Sequence, residues 1–194
     1  KRAVINHPLC ELIRSVLEAV RTRWSYDAVF RAVKTELLPP PDAYPSRELA
    51  RYAMDKLENY VLQCGVRGSQ WTDGNRWKVV RRASLEEDPA EHGSEERFER
   101  EEEELARARG LVAGPIRRLE HRLKRAKTIR DQAEALYRLL SECRVAETLD
   151  GWREAEERAG RPERARELAQ LWDRVMDVLD QLVELVGDEP ADLE

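Results

Sequence analysis

The feature of this sequence that most restricts its fold is the spacing of its apolar residues. The first run contains Leu9, Leu12, Ile13, Val16 and Val20, and runs of the same kind recur to the end of the chain. This spacing places apolar side chains on one face of an α-helix, whereas a half-buried strand requires strict alternation. We therefore predict an all-α fold with about seven helices in an irregular bundle.

Residues with known preferences for helix ends separate these runs. Serine, threonine and aspartate cap helix N-termini, proline is tolerated in the first turn, and glycine commonly follows the last turn. Three consecutive prolines, 39–41, are expected to end the second helix, because proline removes a donor and disfavours α geometry before it. The other predicted boundary residues are Ser25, Ser46, Gly65, Thr128 with Asp131 as a capping box, Gly160 and Pro162.

The same periodicity predicts which side chains face the core. For the third helix these are Leu49, Tyr52 or Ala53, Leu57, Tyr60, Val61 and Cys64. For the helix that Thr128 caps they are Ala133, Leu136, Tyr137 and Leu140. For the last helix they are Leu168, Leu171, Trp172, Val175, Val178 or Leu179, Leu182 and Val186. Between these elements, Gly110 and Gly114-Pro115 are expected to kink or divide a long helix.

Two segments depart from the helical pattern. Residues 65–85 contain Gly65, Gly68 and Asp73-Gly74, and we predict a loop that carries glycine and tryptophan or forms a small hairpin. Residues 86–95 are strongly acidic and offer little apolar surface, so a mobile acidic loop is expected there. We predict that residues 1–194 form a single helical domain around this loop.

Composition excludes several classes of protein. No stretch reaches the roughly 18 consecutive apolar residues that span a bilayer, so no membrane association is expected. Three cysteines stand far apart without a CxxC pair, which favours a reducing, cytoplasmic location. The chain also lacks an initiator methionine and a signal-peptide pattern, so we expect a segment of a longer protein.

The sequence offers no catalytic motif. The phosphate loop G-x-x-x-x-G-K-[ST] is absent, as is HExxH, and the three histidines lack metal-ligand spacing. Consecutive acids at 101–104 radiate around a helix and are better explained as a solvated face than as a Mg²⁺ site. We predict no catalytic residue, no metal and no cofactor for this chain.

The segment between Gly65 and Arg82 is a candidate for DNA contact, although the whole chain has a formal charge of −5. Cations can neutralise phosphates, and exposed indoles can stack on unpaired bases. The alternative is that both tryptophans fasten the loop to the helices. The candidate DNA-binding residues are Arg67, Trp71, Arg76, Trp77, Lys78, Arg81 and Arg82.

A second basic stretch runs from Arg117 to Arg130. Its seven cations accompany only one acid, Glu120, so it can track a phosphate backbone. An equally good interpretation is internal pairing, in which the preceding acidic helix lies alongside and neutralises it. The sequence does not decide between the two.

Four longer stretches carry a resemblance to a known family. They are HPLCELIRSVLEAVRTRWSYDAVFRAVKTELL from His7, DKLENYVLQCGVRGSQWTDGNRWKVVRR from Asp55, AKTIRDQAEALYRLL from Ala126 and QLWDRVMDVLDQLVELVGDE from Gln170. Together they resemble AddB, the B subunit of the bacterial AddAB-type ATP-dependent helicase/deoxyribonuclease. The most specific parts are Trp24–Leu38 and Asp55–Trp77, where the order of aromatic residues and Gly65-x-x-Gly68 match the family.

The resemblance implies a place in a complex that processes DNA ends. Its A subunit is the motor, AddB carries a helicase-like half and a nuclease domain, and the parent uses ATP, Mg²⁺ and a 4Fe-4S cluster. This chain resembles the helical insertion called "2B" in helicases of that superfamily. The family's nucleotide loop, nuclease carboxylates and cluster cysteines have no counterparts here, so no catalytic residue carries over.

These observations lead to two hypotheses about function. The first is a non-catalytic helical domain that positions DNA or the partner subunit during double-strand break repair and homologous recombination. The alternative is a structural domain that packs against the A subunit or the rest of AddB and never contacts DNA. Exposed apolar surface favours the second.

Overall fold

The computed structural model describes residues 7–74, 77 and 93–191. In this part of the chain there are seven α-helices and no β-strand, so the predicted all-α class is confirmed. A single isolated bridge joins Thr128 and Pro190. The helices are α1 (Pro8–Arg21), α2 (Tyr26–Lys34), α3 (Arg47–Cys64), α4 (Gly93–Arg125), α5 (Ile129–Glu142), α6 (Val145–Arg158) and α7 (Pro162–Val186), with a short 3₁₀ helix at Gly68–Trp71.

Several helix ends form as their residue types predict. The Ser46 hydroxyl accepts a hydrogen bond from the Leu49 amide at 3.2 Å, and Gly65 ends α3 with a left-handed φ of 62°. Thr128 and Asp131 form a reciprocal capping box at the start of α5. In it the Asp131 amide donates to Thr128 Oγ1 at 3.2 Å, and the Thr128 amide donates to Asp131 Oδ2 at 3.1 Å.

The end of α2 differs from the prediction. The helix ends at Lys34, before the three prolines, because Glu36 adopts a left-handed φ of 58° that no helix can continue through. Leu37 is nevertheless fully buried. At the other end Ser25 occupies the N-cap position but makes no capping hydrogen bond.

The glycines and proline within α4 do not divide it. The helix runs unbroken from Gly93 to Arg125 with Pro115 inside. Proline removes one backbone hydrogen bond, but Val112, Ile116 and Leu119 around it are all fully buried, so tertiary packing holds the helix together. The acidic residues 96–104 therefore belong to the same helix as the basic stretch and cannot lie antiparallel to it.

The buried apolar side chains form one cluster to which every α-helix contributes. Helix α1 packs against α2, α3 against α4, and α6 against α7, while α5 contacts α4, α6 and α7. Contacts between α1 and α4 join the N-terminal helices to this group. The arrangement is a bundle in which α4 and α5 link the two ends of the chain.

Some predicted core positions are exposed. In α3 the buried residues are Met54, Leu57 and Val61, while Leu49 is 49% exposed and Cys64 is also exposed. In α5, Tyr137 is exposed as well. These predictions were wrong because a periodic pattern identifies an apolar face but not how much of that face a neighbouring helix covers.

Parts of two predicted segments lie outside the described residues. They are residues 75–76 and 78–85 of the predicted loop or small hairpin, and residues 86–92 of the predicted acidic loop. Residues 93–95, the end of that predicted loop, belong to the first turn of α4.

Candidate nucleic-acid interface

The two tryptophans of the first basic segment are buried. Trp71 is fully buried and Trp77 is 6% exposed. Their ring centres lie 5.4 Å apart, and Trp77 stacks on Tyr60 of α3 at 5.2 Å. The Trp77 indole N–H donates to the Gln70 carbonyl at 2.7 Å. In this conformation the indoles fasten the 3₁₀ helix to the bundle and present no open face to a base.

A third tryptophan, Trp24, joins this cluster from the turn between α1 and α2. Its ring centre lies 6.3 Å from that of Trp71, and Phe30 of α2 contacts Trp71 at 5.9 Å. The Trp24 indole N–H donates to Glu120 Oε2 on α4 at 3.0 Å. One side chain therefore connects the turn, the 3₁₀ helix and α4.

Helix α4 also contacts this aromatic cluster, through Arg109. The Arg109 guanidinium lies over the Trp77 ring, 5.3 Å from its centre. The same guanidinium is 3.4 Å from the position that a Cβ would occupy at Gly74. A cation on an aromatic face stabilises the packed loop and leaves this arginine less available to a phosphate.

The cations of the first segment are distributed differently from its tryptophans. Arg67 is exposed and makes no ion pair within the described residues. Arg76, Lys78, Arg81 and Arg82 lie outside the described residues. Their contact with DNA therefore stays a prediction from sequence.

The second basic stretch is partly neutralised. Four of its cations form ion pairs: Arg118 and Arg122 with Glu142 of α5, Lys124 with Glu120, and Arg130 with Asp188 beyond α7. The other three, Arg117, Arg125 and Lys127, are exposed and have no ion pair in the described ranges. Internal pairing thus occurs, but through α5, the segment after α7 and Glu120 of α4 itself rather than through a separate acidic helix.

The shared carboxylate at Glu142 joins two of these cations to α5. Arg122 donates to it at 2.5 Å and Arg118 at 2.8 Å. Burial opposes the ionisation of Glu142, but the hydrogen bonds from the two guanidinium groups outweigh it and lower its pKa. These two bonds hold the C-terminal part of α4 against α5.

Glu120 connects the two basic segments, because it belongs to the second and accepts a hydrogen bond from Trp24, which contacts Trp71 of the first. Burial opposes its ionisation, but hydrogen bonds from Lys124 and Trp24 lower its pKa, so the carboxylate is charged at neutral pH. Through Trp24 it holds the turn after α1 and the 3₁₀ helix beside the first part of the Arg117–Arg130 stretch. Trp24 and its neighbour Arg23 were not predicted from the sequence as site residues. Their only signal was two large residues at a turn between helices.

The described residues contain no group of three or more His, Cys, Asp or Glu side chains that could hold a metal ion. Cys10, Cys64 and Cys143 are free thiols. No helix in the described ranges combines the length and apolarity needed to cross a membrane.

Comparison with known proteins adds the family. The chain is 42% identical over 189 residues to the B subunit of the ATP-dependent helicase/deoxyribonuclease of Pelotomaculum thermopropionicum, covering 97% of this chain. It is 46% identical to the protein of the same name from Geobacillus thermodenitrificans and 40% identical to that from Bacillus subtilis, in both cases over the whole chain. The sequence belongs to this family, AddB.

The similarity covers the whole chain but only part of each relative. The chain spans 15–16% of the length of these AddB proteins. No protein-family model matches it. It therefore corresponds to one segment of a much longer AddB chain.

Proposed function

We propose that this chain is a non-catalytic helical module of an ATP-dependent helicase/deoxyribonuclease, and that it contacts DNA while the rest of the complex acts on it. Family membership supports the assignment to AddB. We assign ATP, Mg²⁺, the iron-sulfur cluster and the motor A subunit to the proposed parent complex. The biological setting that we propose is double-strand break repair and recombination.

The observation that carries this proposal is the position of Trp24. Its hydrogen bond to Glu120 and its contact with Trp71 hold both basic segments against one turn. Two exposed cations without an ion pair among the described residues belong to the segments that it joins: Arg67 directly precedes the 3₁₀ helix, and Arg117 is on α4, three residues before Glu120. Unneutralised cations that are brought together raise the local potential and attract a polyanion even when the whole chain is acidic.

Burial of the indoles changes the mechanism of contact that we propose. Trp71 and Trp77 shape the loop, and the cations bind phosphates. A contact of this kind positions DNA without reading its sequence. We propose Arg67, Arg76, Lys78, Arg81 and Arg82 as the DNA-contacting cations of the loop.

The test is a comparison of two charge-matched variants. In one, Arg76, Lys78, Arg81 and Arg82 become Gln; in the control, four exposed arginines of α6 and α7 that form no ion pair in the described ranges, Arg158, Arg164, Arg166 and Arg174, become Gln. Affinity for a fluorescent duplex with a single-stranded tail is measured by anisotropy. We expect the loop variant to bind at least about tenfold more weakly and the control within about twofold.

Equal weakening in both variants would show that only net charge matters and would contradict the loop contact. Unchanged affinity in the loop variant would contradict it as well. Circular dichroism of each variant verifies that helical content is retained, so that a change in affinity reports on contact.

A second candidate function is supported by exposed apolar surface on α7. Val178, Leu182 and Leu185 recur at i, i+4 and i+7, and their side chains are 62%, 41% and 80% exposed. A contiguous apolar stripe of this kind is typical of a packing interface. Because this chain spans only 16% of such a relative, the remainder of AddB is the partner we propose for it.

This packing function has its own test. The chain and the remainder of a parent AddB are produced separately and their association is measured by calorimetry. Leu182→Gln with Leu185→Gln should weaken association at least about tenfold, whereas Leu62→Gln on α3, which is 59% exposed, should leave it unchanged. Equal affinities for all three proteins would contradict the α7 interface.

A further inference from the structure

A shallow pocket of about 530 Å³ lies between the turn after α1 and the 3₁₀ helix. Arg23 and Arg67 both line it, together with residues of the 3₁₀ helix. The remaining lining residues are Gly68, Ser69, Gln70 and Asp73. Two arginines from segments 44 positions apart in sequence therefore face a common space.

The Arg23 side of the pocket is fixed by a strained turn. Arg23 and Trp24 are consecutive non-glycine residues in the left-handed region, with φ of 52° and 66°. The turn persists because the Trp24 amide donates to the Ala19 carbonyl at 2.7 Å and its buried indole is held by Glu120. Arg23 itself is exposed, so the burial of Trp24 does not explain why the residue before it is an arginine.

The Arg67 side is fixed by backbone contacts. The Arg67 amide donates to Gln70 Oε1 at 2.7 Å, which holds Arg67 in an extended conformation before the 3₁₀ helix. Gly68 follows with a left-handed φ of 54°, and a Cβ at this position would lie 3.7 Å from the Arg23 carbonyl oxygen. The α1–α2 turn and the 3₁₀ helix are thus in close approach at Gly68, which keeps Arg23 and Arg67 beside the same pocket.

The charges of the pocket are not balanced by the described part of the protein. Arg23 and Arg67 are exposed, and neither has an ion pair within the described ranges. Asp73 is the one carboxylate in the lining, and it has an interaction of its own. By contrast Arg144, which also has a left-handed φ of 52°, is paired with both Asp42 and Glu147. The left-handed arginine at the pocket therefore lacks, among these residues, the partners that the other one has.

We propose that Arg23 and Arg67 form a subsite for one phosphodiester group of a DNA strand. Guanidinium groups present planar pairs of N–H donors that match phosphate oxygens, and two forks from separate segments can hold one phosphate from both sides. The proposal rests on the proposed DNA contact of this chain, to which it adds Arg23. Inorganic phosphate shares the chemistry and serves as the comparison ligand.

The test uses Arg23→Gly, Arg67→Gln and their combination, with Arg166→Gln on α7 as the control. Glycine adopts a left-handed φ at no steric cost, so Arg23→Gly should leave the unfolding midpoint in urea unchanged or higher. Affinity for the tailed duplex is measured by anisotropy over a range of salt concentrations. We expect each pocket variant to bind about fivefold more weakly, and the combination to reduce the slope of log K against log salt by about 1.

Four outcomes would overturn the subsite. The first is unchanged DNA affinity and slope in the combined variant while the loop-cation variant binds weakly, which leaves the proposed function standing. The second is that Arg166→Gln weakens binding as much as the pocket variants do. The third is that the combined variant loses affinity for inorganic phosphate, measured by calorimetry, but keeps its affinity for DNA, which would assign the pocket to a free anion. The fourth is that no variant, the loop-cation variant included, changes DNA affinity, which would contradict both the subsite and the proposed DNA contact.

Discussion

The Trp24 indole N–H donates a hydrogen bond to the Glu120 carboxylate at 3.0 Å, across 96 positions of sequence. Because the same ring packs against Trp71, this one side chain holds the α1–α2 turn, the 3₁₀ helix and the C-terminal part of α4 together. Arg23 and Arg67, which we propose for DNA contact, belong to the turn and to the segment of the 3₁₀ helix that this side chain joins. In the proposed DNA interface, the buried aromatic cluster is therefore the framework rather than the contact surface.

We predict that Trp24→Phe destabilises the protein by about 1–3 kcal/mol. Phenylalanine loses the hydrogen bond and part of the ring volume at a site that is only 4% exposed, and it leaves Glu120 with one hydrogen-bond donor fewer. Urea unfolding followed by circular dichroism measures the change. Tyr137→Phe, at an exposed position of α5, is the control and should change stability by less than about 0.5 kcal/mol. Equal stability of Trp24→Phe and the wild type would contradict the role given to this bond.

Replacement of Trp71 should act through folding. The side chain is fully buried, so Trp71→Ala should cost about 3–5 kcal/mol through the cavity that it leaves. The Trp71 indole N–H has no hydrogen-bond partner among the described residues, so Trp71→Phe removes an unpaired donor and should cost less than Trp71→Ala. Thermal unfolding of both variants gives the comparison. A Trp71→Ala protein of unchanged stability would show that the indole is not packed in solution.

The Glu142 carboxylate should make stability depend on pH in a defined direction. Its pKa is lowered in the folded state, so its contribution is present above the unfolded-state pKa and is lost as the pH falls through the folded-state pKa. We expect Glu142→Gln to cost about 1 kcal/mol at pH 7, since the pair is partly exposed, and to approach wild-type stability below about pH 4. Urea midpoints measured at several pH values test this expectation.

Glu134→Gln is the control for that series, because Glu134 forms an exposed pair with Arg138 within α5. Its effect at pH 7 should be no more than about 0.5 kcal/mol. A difference between Glu142→Gln and the wild type that grows as the pH falls would contradict the pairing described for Arg118 and Arg122.

The capping box of α5 offers a comparison between two N-cap residues. Thr128→Ala should destabilise the protein by about 1 kcal/mol, because it removes the acceptor for the Asp131 amide. Ser25→Ala should lower the free energy of unfolding by only roughly a few tenths of a kcal/mol, because Ser25 makes no capping bond to α2. Equal losses for the two variants, read from urea midpoints, would contradict this account of the helix ends.

Local chemistry made the helix ends predictable from sequence. Ser46, Gly65 and the Thr128–Asp131 pair act on backbone groups within three or four residues, so their effect depends little on the rest of the chain. The all-α class was also predictable, because the spacing of apolar residues along a helix is a local pattern as well. The resemblance to AddB was also detectable, because it extends along the whole chain.

Packing between distant segments was not predictable in the same way. The burial of Trp71 and Trp77 depends on Trp24, Tyr60 and Arg109, which come from three different helices or turns. The exposure of Leu182 has a similar cause. Helix α7 has two adjacent apolar faces, and the sequence does not show which of them packs against the core.

We propose that this helical module contacts DNA through cations placed by the aromatic cluster. The most direct measurement is the affinity of the wild-type protein for a tailed duplex between about 50 and 200 mM salt. We predict binding that weakens steeply with salt, with a slope of log K against log salt of about −2 to −5, which corresponds to roughly two to five phosphate contacts. Affinity that is absent at the lowest salt, or that does not change with salt, would contradict the claim and favour packing against the rest of AddB.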